Sequence, residues 1–77
     1  MKIYGLTKKT KDQLLGMKQI SITAEPQVLR ELADFLSSCA EKMEDENTEY
    51  DHEHFISKTT TKGQKCDIVV LTPEFLE

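Results

Sequence analysis

The stretch from Pro26 to Glu44 constrains this chain more than any other. Apolar side chains recur there at Val28, Leu29, Leu32, Ala33, Phe35, Leu36, Cys39, Ala40 and Met43. Steps of three and four residues are the period of an α-helix with one apolar face. Arg30, Glu31, Asp34, Ser37, Ser38, Glu41 and Lys42 are assigned to the opposite face. Pro26 suits the first helical position, where its missing N–H is no loss, and it pushes Glu25 into extended backbone as the cap. The far end breaks a rule. Glu44, Asp45 and Glu46 stack negative charge on the negative end of the helix dipole, with Asn47 placed to cap the helix in the left-handed region.

Short strand-like runs flank this helix. Met1 to Leu6 reads as a first strand, and Met17 to Ala24 alternates cleanly, with Ile20, Ile22 and Ala24 facing one way. The Lys-rich segment Thr7 to Gly16 between them reads as a loose turn. After the helix, Asp51 to Lys58 and Cys66 to Thr72 form a second pair joined by Thr59 to Lys65, with Gly63 in the loop. Pairing Lys58 with Cys66 sets Ile56 against Ile68, His54 against Val70 and His52 against Thr72. Phe55 and Val69 then share the other face with Glu53 and Leu71. Pro73 ends the strand, and Glu74 to Glu77 form a short tail. The order ββαββ predicts an α+β fold, one helix packed on a four-stranded antiparallel or mixed sheet, with residues 1–77 as a single domain.

A chain of 77 residues is near the lower limit for a self-sufficient core, so a second subunit would help it. Only 38% of residues are hydrophobic while 31% are charged, and a deep pocket would compete with the core for the same side chains. One helix covers one sheet face, which leaves the other as a candidate homodimer surface. The net charge of −4 argues against a nucleic-acid binder, whose footprint is a basic patch. No apolar run is long enough for a membrane span, and Met1 leads into a strand pattern rather than an apolar leader, so a cytoplasmic protein with reduced thiols is expected. Cys39 sits on the helix stripe as a small hydrophobe, and Cys66 starts a strand.

Charge is unevenly placed. Lys2, Lys8, Lys9, Lys11 and Lys18 make the amino-terminal segment basic, whereas Glu41 to Glu53 is an acidic run. Carboxylates arrayed in this way steer and hold a basic partner. Tyr50 and Phe55 are the aromatic anchors that such an interface would use. The expected partner-binding set is therefore Glu44, Asp45, Glu46, Glu49, Tyr50, Asp51, Glu53 and Phe55. His52 and His54 point to one face of a strand and form a candidate polar or metal pair. Asp51 and Glu53 point to the opposite face of a regular strand, which leaves two ligands where zinc wants three or four. No metal and no cofactor are therefore expected, and a metal-binding role is only the third reading. No catalytic constellation is present: the glycines make no phosphate-cradling loop, and the carboxylates lack apolar surroundings.

Several segments together resemble a known family. Met1-Lys2-Ile3-Tyr4-Gly5, the run Glu25-Pro26-Gln27-Val28-Leu29-Arg30-Glu31-Leu32-Ala33-Asp34-Phe35-Leu36, and Cys39-Ala40-Glu41-Lys42-Met43-Glu44 are three of them. The others are His52-Glu53-His54 and Asp67-Ile68-Val69-Val70. The chain is similar to the immunity protein 32 type family of bacterial polymorphic toxin systems. That resemblance implies a cytoplasmic protein that neutralises a cognate protein toxin by binding it, with no reaction of its own. The threonine- and lysine-rich link Thr59 to Lys65 departs from the aromatic and proline character expected there, and no contact role carries over to it.

Overall fold

A computed structural model of the chain describes residues 1–9, 12–47, 49–57 and 67–73. The elements run β1 (Tyr4–Gly5), β2 (Leu15–Gly16), α1 (Pro26–Glu44), β3 (His52–His54) and β4 (Val69–Leu71). The α+β class holds, but the four-stranded sheet does not. Among the described residues there are two separate antiparallel ribbons, β1 with β2 and β3 with β4.

The helix forms where its period predicts. Glu25 is extended at φ −66° and ψ 153°, Pro26 opens the first turn, and the Leu29 N–H reaches the Glu25 carbonyl at 3.1 Å. The carboxyl end differs from expectation. Asp45, not Asn47, is the cap and is extended, its N–H donating to the Glu41 carbonyl at 3.2 Å. The Asp45 carboxylate then accepts the Asn47 N–H at 3.0 Å, so a side chain makes the turn that a left-handed residue would otherwise make.

The first ribbon corrects the expected strand at Met17 to Ala24. Tyr4 pairs with Gly16 and Gly5 with Leu15, and the Met17 N–H donates to the Ile3 carbonyl at 3.0 Å. That register sets Leu6 opposite Leu14 and Met1 opposite Gln19, so Ile20 to Ala24 lie past the reach of the expected first strand. The best alternation in the chain is thus left outside any described ladder, with Ile20 and Ile22 about half exposed.

The second ribbon has the expected strands but a register displaced by one residue. His52 pairs with Leu71, Glu53 with Val70 and His54 with Val69, and the Phe55 N–H extends the ladder to the Ile68 carbonyl at 2.8 Å. Because side chains alternate, this slip regroups every side chain. Glu53, Phe55, Ile68 and Val70 now share one face, and all are buried or half-buried. The expected register would have divided these apolar groups between two faces, and a single helix can cover only one. The turn pairing Lys58 with Cys66, the link Thr59 to Lys65 and the tail Glu74 to Glu77 lie outside the described residues.

The helix covers that inner face. The Phe35 and Phe55 rings meet at 5.4 Å between centroids, tilted by 52°. Cys39 and Phe55 are the buried apolar residues among those described, and Cys39 is a free thiol. The apolar stripe read from the sequence is wider than the face used. Val28, Leu32, Phe35, Cys39 and Met43 turn inward, joined by Glu31, Ser38 and Lys42, whereas Leu29, Ala33, Leu36 and Ala40 are exposed.

Candidate protein-interaction site

The acidic run spans the end of the helix, the connection that follows it and β3. Glu44 closes the last helical turn, Asp45 caps it, and Glu46, Glu49 and Asp51 follow in the connection; all five are exposed. Extended backbone at Asp45 ends the helix, and the remaining acids follow in the connection. Lys42 is the basic residue of the last turn, and its Nζ lies 2.5 Å from Glu53 Oε1. That bond to Glu53 holds the Lys42 ammonium above its usual pKa, with desolvation acting the other way. The nearest cation is thus committed to a carboxylate on the inner face, and the exposed acids keep their collective field.

The structure divides the expected partner-binding set. Glu44, Asp45, Glu46, Glu49 and Asp51 are presented to solvent. Phe55 is 5% exposed and belongs to the core against Phe35. Tyr50 is half-buried, and its hydroxyl donates to the Val70 carbonyl at 2.8 Å. Burial first, then the Cys39 thiol and the Glu53 carboxylate, push the Tyr50 phenol well above its ordinary range. Glu53 bridges strand and helix through Lys42. These three hold the acidic edge in place from beneath.

His52 and His54 lie on the outer face of the second ribbon and are both exposed. Their rings meet edge to face, 5.3 Å between centroids. His52 Nδ1 is 3.1 Å from Asp51 Oδ2, and His54 Nδ1 is 2.8 Å from Asp67 Oδ2. Asp67 is the residue that reading the sequence missed. In the expected register it stands opposite Ser57 on the other face; the displaced register brings it diagonal to His54. Among the described residues, no group of three or more histidine, cysteine, aspartate or glutamate side chains is arranged to hold a metal ion.

A helix laid over one face of a small ribbon, with an exposed acidic run at its end, defines a small α+β protein. The sequence model of immunity protein 32 matches residues 19–72, well over half of the chain. The chain belongs to the immunity protein 32 family. The match takes in the helix, the acidic run and both strands of the second ribbon, and the opening Met1 to Gly5 lies outside it. No curated protein and no solved structure gave a significant match. Among the described residues, no helix is long and apolar enough to cross a membrane.

Proposed function

We propose that this protein neutralises a cognate toxin in the cytoplasm by binding it directly, without a reaction or cofactor of its own. Family membership supports the immunity role. The observation that carries the binding mode is the exposed edge of Glu44, Asp45, Glu46, Glu49 and Asp51, whose neighbouring cation Lys42 is tied to Glu53. Such an edge fits a basic surface on the toxin. It acts chiefly on association rate and partner choice, because exposed carboxylates cost little to bring together with cations. Tyr50, Glu53 and Phe55 support this edge from the interior.

The test is co-expression with the cognate toxin. Wild type is expected to rescue growth, and joint reversal of Glu44, Asp45, Glu46 and Glu49 to lysine is expected to abolish rescue while the protein stays folded. Full rescue by the reversed protein would place the interface elsewhere.

A second reading is a homodimer through the outer face of the second ribbon. Ile56 is 75% exposed and Val69 is 39% exposed on that face. Light scattering over rising concentration tests it, and a constant monomer mass would discard it.

A further inference from the structure

We propose that the exposed apolar stripe of α1 is a self-association seam, on which a second copy of this chain packs its own α1 antiparallel. The inference is independent of the toxin-binding reading and uses a different surface from the outer face of the second ribbon. Leu29, Ala33, Leu36 and Ala40 are all exposed, Leu29 at 44% and Leu36 at 48%. Their steps of four, three and four residues are the spacing of a heptad seam. On an α-helix these four positions fall within about 60° of the circumference, so they form one narrow line. The inward stripe of Val28, Leu32, Phe35 and Cys39 lies to one side of that line, and packing on the ribbon leaves the seam uncovered.

Side-chain size and charge both select a second copy in the antiparallel direction. Leucine and alanine alternate along the seam. Antiparallel pairing sets Leu29 against Ala40 and Ala33 against Leu36, each contact made twice about the two-fold axis, and the alanines let the helices approach closely. Parallel pairing in register would set leucine on leucine and alanine on alanine, which leaves the alanine levels underfilled. Arg30 stands near the amino end of the seam, on its flank away from the ribbon, with Glu41 and Glu44 on the same flank near the carboxyl end; all three are exposed. A 3.4 Å bond from the Arg30 guanidinium to Gln27 Oε1 keeps the cation along that flank. The antiparallel arrangement brings Arg30 of each copy alongside Glu41 of the other, whereas the parallel one would oppose like charges. The seam is about 16 Å long, too short for the ~1,200–2,000 Å² that a stable complex buries. The dimer is therefore weak: it forms at high protein concentration and separates in dilute solution.

The experiment is sedimentation equilibrium of the full chain over rising concentration under reducing conditions, with folding of each variant checked by circular dichroism. Wild type is expected to rise from monomer to dimer mass. Leu36→Glu should stay monomeric with an unchanged spectrum, while Ile56→Glu on the outer ribbon face should dimerise as wild type does. Arg30→Glu should weaken the dimer by about fivefold, since two exposed attractions become repulsions. The double variant Arg30→Glu/Glu41→Arg should restore it, a rescue that parallel helices would not give. A monomer at every concentration would overturn the proposal, as would a dimer that survives Leu36→Glu or is lost in Ile56→Glu. A dimer indifferent to Arg30→Glu, or one not recovered by the double variant, would overturn the antiparallel seam.

Discussion

Tyr50 shows how one side chain joins the helix to the ribbon. Its hydroxyl lies against Cys39 on the helix and donates to the Val70 carbonyl on β4. Tyr50→Phe should cost about 1 kcal/mol in urea unfolding, because it removes the part-buried bond from the phenol to the Val70 carbonyl. The same residue makes an alkaline prediction. The folded-state phenol titrates above its unfolded value of about 10, so its contribution is complete below that pH. It is then lost as pH rises toward the folded value. Lys42 acts in the same window and direction, since its bond to Glu53 raises its pKa. Stability is therefore expected to be flat up to about pH 10 and to fall above it, with a shallower fall in Tyr50→Phe, read from thermal melts across pH. In the sequence Tyr50 looks like a surface anchor because it stands among acids. Nothing in that spacing reveals the carbonyl 20 residues away that orients it.

For the helix, periodicity locates the element but overstates its buried face. Two apolar stripes lie side by side, and the ribbon is wide enough to cover only one of them. Substitutions should separate the stripes sharply. Phe55→Ala, which removes the ring packed on Phe35, should destabilise by about 3–5 kcal/mol, enough to unfold a domain this small. Leu36→Ser on the exposed stripe should stay within about 0.5 kcal/mol, and a Phe55-sized loss there in denaturant titration would mean that the stripe is covered. The helix end sets stability against function. Glu44→Lys puts a favourable charge at the carboxyl end of the dipole and should raise stability by about 0.3–1 kcal/mol, while slowing association with a basic toxin. Measuring both on one variant tests whether the misplaced acids serve binding.

The molecule as a whole keeps much of its surface in water. Among the described residues Leu29, Leu36, Ile56 and Val69 are exposed, as fits a protein completed by a partner. If the partner is drawn by the acidic edge, the association rate should fall at least tenfold between low and physiological salt while the dissociation rate changes little, as measured by stopped flow. A salt-independent association rate would point to the apolar surfaces instead. Several features could be read before any coordinates: the α+β class, the helix with its Pro26 start, the two strands after it and the acidic run. Each depends on spacing within a few residues, and local periodicity carries that information. Strand pairing was beyond such reading. The run Met17 to Ala24 alternates as a half-buried strand should, yet its partner is set by the Tyr4–Gly16 register, which local alternation does not encode. A shift of one residue in the second ribbon likewise exchanged the faces of Ile68, Val70 and Asp67. The sequence alone determined which segments are helical or extended and where the charge lies. The tertiary structure decided which apolar stripe is buried, which face carries the histidines and which carboxylates stand behind them, because burial depends on contacts between segments far apart in the chain.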